Sequence, residues 1–368
     1  MENYKDTFKA KIKKVPLSIA LLVFLICLYG FSLLYSAAGG NVIPWAYKQI
    51  ITFCIFMPIA LLIAIVDIKI IYKLAYIFYA FTLALLVLVH FFGKSAMGAT
   101  RWLDLGIFSI QPSELVKIAL VLLLARYFHD NQNKNSSDFF YIMPAIASII
   151  PIALVIKQPD LGTGMITLMV VILMFVYAGI RLRYLVLGAI SGVILAPVIW
   201  FMLHDYQRNR ILTFINPERD PLGAGYNIIQ SKIAIGSGGL FGKGLFSGTQ
   251  SHLSFLPEYQ TDFIFSFLAE ELGFIGGIIL LILYSMLIFK SSLIAINCKS
   301  KFAFLMASGT ITLFFCHVFI NIAMVMGLLP VVGVPLPLVS YGRTVMVSML
   351  IGFGLIMNAA VNQRTKIL

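Results

Sequence analysis

About ten apolar runs, each close to twenty residues long, follow one another along this chain, and that repetition dictates what it can fold into. A run of this length, wound as a helix, crosses a hydrocarbon layer of roughly 30 Å. The runs predict helices over 16–36, 47–66, 74–92, 113–128, 139–157, 162–179, 184–203, 262–289, 302–326 and 344–362. Lipid offers no hydrogen bonds, so each spanning segment must satisfy its own backbone, which a helix does. The alternating pattern of a membrane β-barrel is absent from the sequence. Only 11% of residues are charged and 60% are hydrophobic, against about 25% charged in a soluble domain. The predicted fold is an all-α polytopic membrane protein, one domain over 1–368.

The net charge of +12 does not point to nucleic acid, because the basic residues fall in short clusters between apolar runs. Lysine and arginine concentrate on cytoplasmic loops. Lys5, Lys9, Lys11, Lys13 and Lys14, then Lys69, Lys73, Arg126, Lys134, Arg181, Arg183, Lys290, Lys299, Lys301, Arg364 and Lys366 share one side if the first helix starts inside. The opposite short loops hold few, chiefly Lys48, Lys94, Arg101, Lys157 and Arg343. Both termini are therefore expected in the cytoplasm, as an even helix number requires. The first run is too long for a signal-peptide core, so it is read as a retained helix. Cys27, Cys54, Cys298 and Cys316 show no metal-binding spacing and read as small apolar residues.

One connection departs from the rest. Residues 204–261 make an outer loop of nearly sixty residues, far beyond the usual 12–15. Its mixture of Phe214, Ile215, Tyr226, Ile228, Ile229 and Phe241 with glycine and cations suits amphipathic or re-entrant pieces at the interface. Together with the other outer connections it places any chemistry outside the cytoplasm.

Several polar groups stand out. Asp262 follows Leu256-Pro257-Glu258-Tyr259-Gln260-Thr261 where the long loop meets the eighth helix. It reads either as a helix cap, a role Thr261 could share, or as a carboxylate base tuned by burial. Glu114 and Lys117 sit three apart after Pro112-Ser113, on one helix face. At membrane depth such a pair is either structural or part of a site. Asp160, in Gln158-Pro159-Asp160-Leu161-Gly162-Thr163, reads first as the cap of the sixth helix and second as a ligand for metal- or diphosphate-bound water. Arg208 and Arg210, then Ile235-Gly236-Ser237-Gly238-Gly239-Leu240-Phe241-Gly242-Lys243-Gly244, offer cations and approachable backbone amides to an anion. Lipid headgroups are the plainer partner for the two arginines. Gly333-Val334-Pro335-Leu336-Pro337-Leu338-Val339-Ser340-Tyr341-Gly342 predicts irregular backbone lining a cavity. Glu270, Glu271, His90 and His317 read as packed helix residues.

Together these segments resemble the SEDS family, whose members polymerise bacterial peptidoglycan. The resemblance runs along nearly the whole chain and is carried by RWLDLG and QPSELVK within 98–117, QPDLGT, NPERDPLGAGY, IGSGGLFGKG, LPEYQTDFIF with AEELGF, and GVPLPLVSYG. It favours the elongation members over the division members. It implies a glycosyltransferase acting on lipid II at the outer leaflet of the bacterial cytoplasmic membrane. Asp262 takes the position of the family's catalytic aspartate, Glu114 and Lys117 that of its helix pair, and Asp160 that of its QPDLGT aspartate. It also implies a class B penicillin-binding protein and other elongation-complex membrane proteins as partners. One departure is visible. The family pattern SYGGT reads Ser340-Tyr341-Gly342-Arg343-Thr344 here. A glycine with positive φ at that place would make Arg343 a strained residue; otherwise Arg343 adds a cation.

The chemistry expected of such a site is simple. A diphosphate leaves without a protein acid, while an acceptor hydroxyl needs a base, worth about 10²–10⁴-fold. Asp262 is that base. Arg101, Lys117, Arg208, Arg210 and Lys243 are the candidate cations for the diphosphate, with Ser340 in the same outer set, and with room for a divalent cation, Mg or Mn. No organic cofactor is expected. A lipid II flippase or other transporter would place its ionisable groups at the midplane, and a scaffold would leave them idle.

Overall fold

A computed structural model of the protein describes residues 8–367 apart from 97, 98, 105, 107, 108, 133–137, 204, 221, 222, 253, 254 and 366. Lys5, Lys134, Lys366 and the side chain of His90 lie outside the described residues. A short basic helix, α1 (Phe8–Lys13), leads into seven apolar ones: α2 (Leu17–Ala37), α3 (Trp45–Ile65), α4 (Ile68–Phe92), α5 (Pro112–Asp130), α6 (Ile142–Lys157), α7 (Leu161–Ala178) and α8 (Leu182–Met202). The long connection holds α9 (Asp205–Ile215), α10 (Ala224–Ser237) and α11 (Thr249–His252). Three more apolar helices complete the chain: α12 (Ile264–Ile296), α13 (Lys301–Val325) and α14 (Arg343–Val361).

All ten expected spans are therefore present. Seven of them are long and apolar enough by composition alone to cross a membrane, and α6 and α8 carry shorter apolar stretches. α5 is the remaining one, and its charges (Glu114, Lys117, Arg126, Asp130) explain its lower hydropathy. It is nevertheless buried along most of its length. α5, α13 and α14 form the centre of the bundle. α13 packs on α5, α7, α12 and α14, and α14 lies against α3. α8 is exposed along nearly all its described length and apolar all round, which fits a lipid-facing helix.

Local sequence sets the helix starts. Pro112 occupies the first turn of α5, where its missing N–H costs nothing, and Glu114 adds a carboxylate at the positive helix end. Asp67 caps α4 by accepting from Lys69 N. Between α4 and α5 the chain makes three short antiparallel strands, β1 (Lys94–Ala96), β2 (Ala99–Asp104) and β3 (Ser109–Ile110), with Lys94 opposite Trp102 and Leu103 opposite Ile110. Runs this short carry too little alternation to be read as strands from sequence.

The long connection is ordered as helices rather than as a plain loop. Its glycine-rich stretch does something the sequence reading did not anticipate. α12 breaks at Gly273, whose backbone (φ 65°, ψ −164°) is not helical. The loop after α10 is spliced into that break. Lys243 N and Gly244 N donate to the Glu270 and Glu271 carbonyls, while Phe274 N and Ile275 N donate to the Gly239 and Leu240 carbonyls. The glycines here serve backbone-to-backbone packing, since a Cβ at Gly242 would collide with Glu271 O.

Candidate active site

The connections α2–α3, α4–α5, α6–α7, α8–α12 and α13–α14 meet at one end of the bundle, and Asp262 lies among them. It sits two residues before α12, in a turn where Thr261 N and Phe263 N both donate to the Glu258 carbonyl. The helix cap position is Phe263, with no side-chain capping bond, so neither Thr261 nor Asp262 caps α12. Thr261 Oγ1 instead bonds the carbonyl and carboxylate of Glu258. The plainer of the two readings of Asp262 thus falls.

Three consecutive carbonyls at this turn are held from elsewhere. Gln260 O accepts from Tyr341 N at 2.9 Å. Thr261 O accepts from Ser340 Oγ at 2.6 Å. Asp262 O accepts from Asn321 Nδ2 at 2.8 Å. Ser340 also accepts from Leu336 N, and its own carbonyl accepts from Gln49 of α3. Ser340, a candidate substrate residue by sequence, is thus engaged in holding the Asp262 turn.

Asp262 is half-buried, and its carboxyl is raised from 3.8 to about 7, with burial the largest cause. Glu258 and Asp160 push the same way, and Arg210 of α9 and Arg101 of β2 oppose them. Three acids and two arginines thus share one field. Arg101 donates to the carbonyls of Gln158 and Pro159, and its Nη1 lies 3.9 Å from Asp160 Oδ1. Asp160 caps α7 as expected, accepting from Thr163 N, and it also accepts from Gln111 at 3.0 Å. Pro159, Glu258 and Leu338 all have positive φ, a strained conformation for such residues that the surrounding contacts must enforce.

The other sequence candidates are distributed differently. Lys117 reaches Glu114 at 2.7 Å and His317 Nε2 at 2.8 Å, all three buried. Glu114 also accepts from Ser348 of α14. His317 lies on α13 one turn before Asn321, so this pair sits one turn into the bundle from Asp262. Arg208 donates to the Trp200 and Phe201 carbonyls at the end of α8. Lys243 pairs with Glu270 at 2.7 Å, beside the α12 break. Glu271 accepts from Ser36 and from Phe246 N, so both buried glutamates have partners, as expected. Arg343 is the first residue of α14, with no positive φ, and its Nε meets Thr52 at 3.2 Å. Of the two alternatives for this position, the strain of a positive φ does not arise.

Sequence reasoning passed over Asn321 and set His317 aside. The available signal was an amide and an imidazole four apart on an otherwise apolar helix, since polar groups in such a helix need partners. Among the described residues no three His, Cys, Asp or Glu side chains gather closely enough to hold a metal ion.

The Cell cycle protein family, which includes FtsW, RodA and SpoVE, matches residues 14–365. The chain belongs to this family, the SEDS family. It is 42% identical over 359 residues to peptidoglycan glycosyltransferase MrdB of Escherichia coli (strain K12), covering 96% of this chain and 95% of that protein. It is 32% identical to peptidoglycan glycosyltransferase RodA of Treponema pallidum (strain Nichols), over 91% of this chain and 94% of that one. A solved chain from work on the structural coordination of polymerization and crosslinking by a peptidoglycan synthase complex superposes with a TM-score of 0.82 at 30% identity, over 95% of this chain and 98% of that chain. The SEDS expectation from the motifs therefore holds, and with it the all-α polytopic membrane fold.

Proposed function

We propose that this SEDS chain is a peptidoglycan glycosyltransferase that joins lipid II units into glycan strands at the outer leaflet. The single observation that carries the mechanism is Asp262, a carboxyl raised to about 7 between two arginines and two acids at the end of the bundle. A base of that pKa is half ionised near neutral pH, where general-base catalysis is most effective. The acceptor sugar hydroxyl gives its proton to Asp262 while its oxygen attacks the donor's anomeric carbon. The bond from that carbon to the diphosphate oxygen breaks, and the anomeric configuration inverts. Arg101 and Arg210 stabilise the charge that develops on the diphosphate. Asp160 orients Arg101. The described side chains do not by themselves form a metal site, so no step here passes through a metal. A divalent cation would enter with the diphosphate, which is how Mg is usually held.

The names of the relatives support this reading over a flippase or a scaffold. The synthase complex to which the fold is similar supports a class B penicillin-binding protein as partner. The chain acts as one domain in the bacterial cytoplasmic membrane, with residues 204–261 outside and both termini in the cytoplasm. The test is polymerisation of purified lipid II by the full chain, with and without that partner. Strands from wild type and none from Asp262→Ala are expected. Equal strand yield from the variant, at equal expression, overturns the assignment of the base.

A further inference from the structure

We propose that Asn321 is a positioning residue for Asp262, fixing the catalytic carboxylate by joining the two backbone segments on either side of it. The proposal rests on the functional reading above, in which Asp262 is the base. Asn321 is fully buried on α13. Its Nδ2 donates to Asp262 O at 2.8 Å and to Val334 O at 2.6 Å. One –NH₂ group thus ties the Asp262 turn to the α13–α14 connection. Gly333, next to Val334, lies beside the carboxylate itself. A Cβ there would lie 3.3 Å from Asp262 Oδ2. The distance between these two segments sets where the carboxylate stands, and Asn321 bonds to both of them from a third element, α13.

The orientation of the amide is fixed by chemistry. Turned over, it would put Oδ1 against two carbonyl oxygens. As placed, the amide makes both donor bonds. Ser340 and Tyr341 hold the preceding two carbonyls, but both come from the α13–α14 connection itself. Asn321 comes from the rigid central helix. It therefore anchors the whole pair of segments to the bundle.

The hydrogen bonds of Asn321 go to backbone carbonyls and not to the Asp262 carboxylate, so its removal should lower kcat and leave KM for lipid II nearly unchanged. The groups that set the Asp262 field are Glu258 on its own turn, Asp160 at the start of α7, Arg101 of β2 and Arg210 of α9. Lys117 and Glu114 of α5 face His317, one turn along α13. Asp262 is half-buried; releasing the turn lets more water reach the carboxylate, which weakens the dominant burial effect and moves its titration to lower pH.

The experiment compares wild type, Asn321→Ala, Asn321→Leu and, as a helix control, Thr310→Val, each as the full chain with its partner. Asn321→Leu keeps the volume and removes the donor without adding a charge, so a folding defect from lost volume is separated from loss of the clamp. Expected for both Asn321 variants is a fall in kcat of about 10-fold or more, KM within about 2-fold, and an ascending pH limb shifted to lower pH. The control should match wild type. Wild-type kcat and pH limb in both variants overturns the proposal, and so does a lower kcat with an unmoved limb. The Asp262 carboxyl is also titrated by infrared difference against Asp262→Asn, which needs no turnover. If wild type makes no strands, the functional reading fails and this titration alone decides: a shift in Asn321→Ala supports the clamp, and none overturns it.

Discussion

The Lys117 ammonium lies 2.7 Å from Glu114 Oε1, both side chains are essentially buried, and His317 caps the same ammonium from the other side. A pair taken out of water in this way is sensitive to the loss of one member. The remaining charge has no solvent, and breaking such a pair costs about 3–5 kcal/mol, whereas replacing both members with apolar residues of similar volume is often neutral. Glu114→Leu and Lys117→Met are each expected to lower the thermal midpoint in detergent sharply. The double variant should recover most of the loss. Scanning calorimetry or fluorescence melting of the three chains checks this; additive losses would show that the pair is not coupled.

The pH dependence of polymerisation follows from Asp262. A base with pKa about 7 is protonated and idle below that value, so kcat/KM should climb from pH 5 to 8 with a midpoint near 7. Asp262→Ala should lose about 10²–10⁴-fold in rate and lose the limb with it. A rate already level between pH 5 and 8 would exclude Asp262 as the titrating base.

The same carboxyl bears on stability. Its pKa is raised in the folded chain, so the folded state prefers the neutral form. The contribution is fully present below the ordinary value of 3.8 and is lost as pH rises toward about 7. Above that, the ionised group is a burden on the fold. Asp262→Asn removes the charge at little change in shape. It should raise the melting midpoint at pH 8 by about 2 °C or more, with a gain that shrinks toward pH 5. An equal gain at both pH values would mean that the effect is not electrostatic.

The spans were legible because hydropathy is a local property and ten runs displayed it. Asp160 could be read as a cap and Glu114–Lys117 as a pair because their partners lie three residues away in sequence. What stayed hidden was long-range. Ser340 and Thr261 meet across 79 positions, and Asn321 reaches Asp262 across 59. Nothing local in either residue signals those contacts. Lys243 looked like a cation for substrate because its partner, Glu270, lies 27 residues on within an apolar helix. The glycine-rich run was ambiguous in the same way. Glycines that approach an anion and glycines that approach another backbone look alike in sequence.

Arg343 tests how far a departure from the family pattern matters. It begins α14 in ordinary helical backbone and contacts Thr52, so the position imposes no demand for glycine. Arg343→Gly should change the polymerisation rate less than about 2-fold and cost at most about 1 kcal/mol in stability. A large gain in rate from the glycine would mean that the arginine does restrain the site.

The break in α12 makes the sharpest structural prediction. Gly273 has φ 65° and ψ −164°, a region open essentially to glycine alone. A Cβ there would also collide with Gly242 N and Leu240 O of the spliced loop. Gly273→Ala must therefore either strain the backbone, at about 1–3 kcal/mol, or expel residues 239–244 and give up the four backbone bonds that join the loop to the break. Gly277, four residues on in the same helix, is the matched control. Its added Cβ would meet only Phe265 at 3.7 Å, an ordinary contact, and alanine is the better helix former by about 1 kcal/mol. Gly277→Ala should be neutral or stabilising, while Gly273→Ala should expose the 238–247 loop to protease and lower the yield of folded protein. Because the spliced loop also delivers Lys243 to Glu270 and Phe246 N to Glu271, its release would leave two buried carboxylates short of donors. The cost of Gly273→Ala should thus exceed backbone strain alone, and Glu270→Gln with Glu271→Gln in the same chain should return part of it. If Gly273→Ala folds and resists protease like Gly277→Ala, the splice does not hold the break in place.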